Sequence, residues 1–133
     1  MFKIIRTIGA ATRSIQTVSN ETFKPLGLNN NLFIYLIRTV EQPGMFLGEL
    51  ADSLQIDRTT SFRTVQKLVK LGYLELKNDQ QNLKIKRVFP TTKAKELYPQ
   101  LHDYEQQSSD VLLKNLSTTE RNQLAKLLDK LNI

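Results

Sequence analysis

The sequence predicts a mainly α-helical fold that carries one small β-hairpin. Three observations predict it. Apolar residues recur at helical spacing through six separate stretches. Two stretches rich in strand formers, Tyr73–Lys77 and Leu83–Phe89, flank a polar connection, NDQQN. Positive charge is concentrated around that hairpin: from Asp57 to Val88, eight Lys and Arg stand against three acids, in a chain whose net charge is +6.

The elements follow in order. Residues 2–23 place Ile4, Ile5, Ile8, Ile15 and Val18 at roughly helical spacing, a long first helix ending before Pro25-Leu26-Gly27. Asn29 or Asn30 is expected to cap a second helix with Leu32, Phe33, Leu36, Ile37 and Val40 on its buried side. Glu41-Gln42-Pro43-Gly44 is a turn. Leu47, Leu50, Ala51 and Leu54 make a short third helix. After a break at Gln55-Ile56, the Asp57 carboxylate can accept from the N–H of Thr59 or Thr60 and start a fourth helix, which Gly72 ends. The hairpin comes next. Thr91 or Thr92 opens a fifth helix to about Leu113, with Pro99 inside it and a kink expected there. Ser117 and Glu120 form a capping box for a sixth helix carrying Leu124, Leu127, Leu128 and Leu131.

At 133 residues the chain suits one domain with a real core. Cysteine is absent, which excludes disulfides, thiolate metal sites and thiol redox chemistry; the one histidine, His102, cannot build a His-rich metal site. No metal or cofactor is expected. The longest fully apolar run, Leu32–Ile37, is far short of a membrane span. The N-terminal stretch briefly resembles a signal peptide, but Arg6 and Thr7 interrupt its apolar run and Arg13 follows its small residues. A cytoplasmic protein is the expectation.

Helix, turn, helix and β-hairpin in that order make a winged helix-turn-helix. Leu50, Leu54, Ile56, Val65 and Leu68 can bury between the two short helices, and Ala51 permits their close approach. On the fourth helix, Ser61, Val65 and Leu68 share one face; Thr59, Arg63, Gln66 and Lys70 share the other, with Lys67 beside them and no carboxylate. Such a strip suits a major groove. Arg63 can donate two bonds to guanine O6 and N7, Thr59 can reach a base edge or a phosphate, and Gln66 can read adenine. Lys67 and Lys70 lie where the helix leaves the groove and suit phosphates. Arg58, Thr60 and Phe62 complete the DNA-facing set on this helix, and Lys84 and Lys86 supply the wing. Taken alone, the fourth helix is also an ordinary amphipathic surface helix. The short helix before it, the basic hairpin after it and the local charge excess favour DNA.

These residues also carry a family resemblance. Pro25-Leu-Gly-Leu28 precedes the second helix and Gln42-Pro-Gly44 the third, and LGELADSLQIDRTTSFRTVQKLVKLGYLE spans the reading unit. KIKRVFPTTKAKEL covers the second wing strand and the next helix start, and LSTTERNQLAKLLDKL the last helix. In this order, from about Leu26 to Leu131, they resemble the MarR family of bacterial winged-helix transcription regulators. The resemblance implies one MarR-like domain, residues 29–90 forming the winged helix-turn-helix lobe and residues 1–28 and 91–133 a helical dimerisation region. It implies a homodimeric DNA-binding regulator, a repressor, on a palindromic double-stranded operator. Dimerisation would use Ile4, Ile5, Ile8, Leu116, Leu124, Leu127, Leu128 and Leu131. It further implies release by a small, often aromatic or phenolic, effector held between the dimerisation helices and the lobe.

Several positions depart from the family pattern. Phe46 stands where a capping Thr is usual, so the third helix should lack a side-chain cap. Ser61 and Thr64 stand where apolar residues normally pack, and Phe62 replaces a small polar residue; it can pack on the lobe or touch a thymine methyl. The wing motif Asp-x-Arg-x-Lys becomes Asn82-Leu83-Lys84-Ile85-Lys86, so the Asp–Arg pairing that steadies a wing tip should be missing. The wing should then be a mobile cationic arm.

Other function classes fit less well. His102 lies near Asp103 and Glu105, but no phosphate loop or nucleophile motif accompanies them, and an enzyme is not expected. A winged helix used for protein interaction should show apolar or acidic residues where Thr, Arg, Gln and Lys stand. A DNA binder without any ligand stays open, because the apolar residues of the first two helices could line a pocket but more often serve simply as dimer core.

Overall fold

The computed structural model describes residues 1–133. Helix α1 (Phe2–Phe23) runs into a 3-10 turn, Lys24–Leu26, closed by Gly27 at φ 73°. Helix α2 (Leu32–Glu41) begins differently from expectation. Asn30 and Asn31 both take left-handed backbone angles, and neither Asn29 nor Asn30 caps the helix. The Asn30 N–H instead donates to Asn20 Oδ1 of α1 at 2.7 Å, so the asparagine-rich turn is spent on joining two helices.

Strand β1 (Met45–Phe46) leads directly into α3 (Leu47–Ser53). Phe46 has no acceptor to offer the helix; the one capping bond runs from its own N–H to Glu49 Oε1, 3.2 Å. Asp57 starts α4 (Arg58–Lys70) by accepting from the Thr60 N–H at 3.0 Å. The end of α4 is a Schellman arrangement. Gly72 at φ 82° lets its N–H reach the Val69 carbonyl and the Tyr73 N–H reach that of Leu68, both at 3.0 Å.

Strands β2 (Leu74–Asn78) and β3 (Lys86–Pro90) form the hairpin, and β1 adds to its far side in the antiparallel order β1-β3-β2. The second strand starts at Lys86 and not at Leu83, because the Asp79 N–H donates to the Ile85 carbonyl and Ile85 to that of Asn82, folding residues 82–85 into the turn. Helix α5 (Thr92–Leu112) begins at Thr91, whose Oγ1 accepts from the Ala94 N–H, and contains Pro99. The Ser117–Glu120 capping box opens α6 (Thr118–Leu128) with bonds of 2.9 and 3.2 Å. Leu131 lies beyond that helix. The chain tightens after Leu128 into bonds from Lys130 to the Leu127 carbonyl and from Leu131 to that of Leu128.

One core serves every element but the last. Phe23, Leu28, Leu36, Leu50, Val65, Leu68, Leu74, Val88 and Leu101 are all buried in it. Helix α6 buries none of its residues. No helix is long and apolar enough to cross a membrane.

Candidate nucleic-acid interface

The interface is built by the packing of α4 on α3. Leu50 and Ala51 of α3 and Val65 and Leu68 of α4 are fully buried, with Leu54 and Ile56 half-buried between the helices. That fixes which side of α4 faces outward. Arg58, Thr59, Thr60, Phe62, Arg63, Gln66, Lys67 and Lys70 are all exposed, as are Lys84 and Lys86 on the wing. Phe62 is 40% exposed, so the lobe does not absorb its ring. Arg63, Lys67 and Lys70 have no acidic partner.

Ser61 sits on the inner face, 1% exposed, and its Oγ has no hydrogen-bond partner. The hydroxyl fills an apolar position, as its departure from the family pattern suggested. Thr64 avoids that fate by donating to the Thr60 carbonyl at 3.1 Å.

The wing corrects the sequence reading. An Asp–Arg pair is present, made by residues outside the motif. Arg87 Nε donates to Asp79 Oδ1 at 2.8 Å, and its Nη1 to the Gly44 carbonyl at 2.7 Å. The guanidinium carbon lies 4.1 Å from the Phe46 ring centre. Asp79 Oδ2 also accepts from the Asn82 N–H, and Asn82 Oδ1 from the Lys84 N–H. The hairpin is therefore braced from tip to β1, not a loose arm. The hydrogen bond from Arg87 holds the Asp79 carboxyl below the usual carboxylate range. Sequence reasoning missed this pair because Asp79 and Arg87 meet only through strand register, which puts Lys77 opposite Arg87 and Phe46 on its other side.

At the other end of α4 the chain is tied down. The Tyr73 hydroxyl donates to the Leu26 carbonyl at 2.7 Å, Thr91 Oγ1 to that of Gly72 at 2.6 Å, and Lys93 Nζ to that of Leu71 at 3.0 Å. Burial raises the Tyr73 phenol above its ordinary range, which keeps it a donor.

Arg58 is paired as well: Asp52 of α3 accepts from its Nε and Nη2 at 3.2 and 2.7 Å. The hydrogen bond lowers the Asp52 carboxyl and raises the Arg58 guanidinium from their ordinary ranges. No cluster of His, Cys, Asp and Glu could hold a metal ion.

Comparison with known proteins finds the same arrangement elsewhere. An HTH-type transcriptional regulator of Bacillus subtilis, YybA, is 37% identical over 130 residues, 98% of this chain and 87% of the relative. A MarR family transcriptional regulator from Listeria monocytogenes, solved in complex with 26mer DNA, superposes with a TM-score of 0.91 at 39% identity, covering 95% of this chain and 84% of that one. The chain belongs to the MarR family. Membership makes it a winged-helix transcriptional regulator and not an enzyme. The Escherichia coli MarR-family repressor MprA is 28% identical over 114 residues, 84% of this chain and 65% of its own. No family model matches the sequence.

Proposed function

We propose that the protein is a homodimeric repressor that places α4 of each subunit in the major groove of a palindromic operator and is released by a small organic ligand. The observation that carries the DNA reading is the α4 surface: Thr59, Arg63, Gln66, Lys67 and Lys70 are exposed together without a carboxylate among them. Base edges accept from Arg63 and Gln66, and phosphates from Lys67, Lys70, Lys84 and Lys86. Arg58, Thr59, Thr60 and Phe62 line the helix start, where recognition helices approach bases.

The homodimer is supported by apolar surface with no cover in its own chain. Ile4, Ile5 and Ile8 of α1, Leu124, Leu127 and Leu128 of α6, and Leu131 are exposed, Ile5 by 70% and Leu127 by 61%. Leu116, half-buried, turns the chain into α6. Leaving this much aliphatic surface in water is unfavourable, and a two-fold partner covers both stripes at once.

Support for a ligand lies between α1 and α5. A groove of about 240 Å³ there is lined by Ser14, Ile15, Val18, Tyr104, Gln107, Ser108, Val111 and Leu112. Tyr104 forms its wall, packed edge-on to Phe23 and Phe33 with ring centres 4.9 and 5.7 Å away. An apolar lining with a few hydroxyls and an amide suits a single-ring aromatic or phenolic compound.

The test is binding of the purified full chain to duplexes enriched from a randomised library, with light scattering for assembly and a panel of phenols and aromatic acids for release. Enrichment of a palindrome by a dimer supports the reading; a monomer, or no enriched sequence, overturns it. If no compound lowers affinity, the protein is a MarR-type binder without a ligand.

A further inference from the structure

Arg58 is the first residue of α4, yet its side chain folds back onto α3. Asp52 takes its Nε and Nη2 as two parallel hydrogen bonds, 3.2 and 2.7 Å long. Beneath the guanidinium lies Gly48, one helical turn before Asp52. A Cβ on Gly48 would stand 3.1 Å from Arg58 Cζ, 3.2 Å from Nη1 and 3.4 Å from Nε. Near-equal distances to three atoms of a planar group mean that the absent methyl would press on its flat face. Gly48 is therefore a floor and Asp52 a clamp, side by side on one face of α3. The carboxylate occupies only the Nε–Nη2 edge. The Nη1–Nη2 edge has no protein partner, and the side chain is 71% open to solvent.

We propose that Gly48 and Asp52 form a seat that presents the free edge of Arg58 to a guanine, which makes them specificity-determining positioning residues. Guanine offers O6 and N7 as two acceptors spaced for that edge. An unheld arginine samples many rotamers and settles on the nearest phosphate, which carries no sequence information. Holding two of its donors fixes the plane and direction of the remaining pair before DNA arrives, so less freedom is lost in forming the bidentate contact. The proposal rests on the reading of α4 as the recognition helix and deepens it, adding a second arginine to the base readers Arg63 and Gln66.

The experiment compares full-length wild type, Arg58→Ala, Gly48→Ala, Asp52→Asn and Arg63→Ala. Each is put through selection from a randomised duplex library, then titrated on duplexes with and without the guanine lost by Arg58→Ala. The ratio of the two affinities is the readout. Gly48→Ala and Asp52→Asn should each lower that ratio about tenfold. Gly48→Ala should leave the melting temperature close to that of wild type, because the gain in helix propensity is set against the displacement of an exposed ion pair. Specificity that falls while stability holds is an outcome that damage to the fold does not produce. An unchanged ratio in both seat variants overturns the proposal. So does a uniform loss of affinity with a shallower salt dependence, which would make Arg58 a phosphate contact. If wild type itself enriches no sequence, the recognition-helix reading fails and takes the seat with it. If wild type and Arg63→Ala differ as expected while the seat variants match wild type, the seat alone fails.

Discussion

Arg63 stands near the middle of the exposed α4 face with no acidic partner, so its full donor set is free for a base pair. Arg63→Ala is expected to cost about 1–3 kcal/mol per half-site and to relax preference at one base pair. An operator selection that returns the wild-type preference would refute this. Ser61 offers the opposite kind of test. Its buried hydroxyl has no partner, and such a group costs about 1–3 kcal/mol. Ser61→Ala also gains helix propensity, so it should stabilise the chain by roughly 1 kcal/mol in a urea melt; a lower midpoint would mean the hydroxyl is satisfied. Asp79 sets a pH dependence. Its folded pKa lies below its unfolded value because Arg87 donates to it. Its contribution is thus complete above the unfolded pKa, near pH 4, and is lost as pH falls further through the folded pKa. Asp79→Asn should remove that acid-side loss from the wing's stability, followed by hydrogen exchange of the β2–β3 amides. At this scale the sequence displayed the α4 strip plainly, since a period of 3.6 residues sorts Val65 and Leu68 from Arg63 and Gln66. It did not display Asp52–Arg58 or Asp79–Arg87. Those pairs depend on a helix crossing and on a strand register, neither of which a local pattern encodes.

Among the elements, α6 is distinctive because it folds by its own capping box and then buries nothing. Deleting residues 117–133 should leave the lobe folded by circular dichroism but convert the proposed dimer to monomer or aggregate. A truncated chain that light scattering still shows as a dimer would place the interface elsewhere. The wing gives a second element-level expectation. Lys84 and Lys86 are exposed on a hairpin braced by Arg87, so the wing presents its cations from a fixed position. Lys84→Ala should lower the slope of log affinity against log salt by about one per wing, about two per dimer, across many sequences. Loss of a flank preference with an unchanged slope would instead make the wing a sequence reader. All six α-helices, the short α3 included, and the hairpin were legible from apolar periodicity, caps and Gly72. Strand β1 was not, because two residues carry no pattern and its pairing with Val88 and Arg87 is wholly long-range. The late start of β3 was hidden likewise, since Leu83 and Ile85 are strand formers by composition but belong to a turn closed by backbone bonds.

For the whole molecule, composition narrows the signal that could act on it. Without cysteine there is no thiol to oxidise, and no group of three or more His, Cys, Asp and Glu side chains in the chain is placed to hold a metal ion. Mild peroxide or zinc should leave DNA affinity unchanged in an anisotropy titration; release by peroxide would demand chemistry at Met1 or Met45, the remaining sulfur. The overall architecture was legible because element order, capping and charge all pointed the same way. The ties at the end of α4 have a mechanical meaning of their own. Tyr73, Thr91 and Lys93 clamp residues 71–73 to the 3-10 turn after α1 and to the head of α5, while the Arg58 end is fixed only through α3. Helix α4 is thus an oar with its rowlock at Tyr73 and a shaft about 20 Å long. A swing of about 10° at the rowlock carries the blade about 3.4 Å, the rise of one base pair. On the proposed reading of α4 as the helix that enters the groove, the placing of this one anchor against the 3-10 turn and the head of α5 sets which base step the far tip meets.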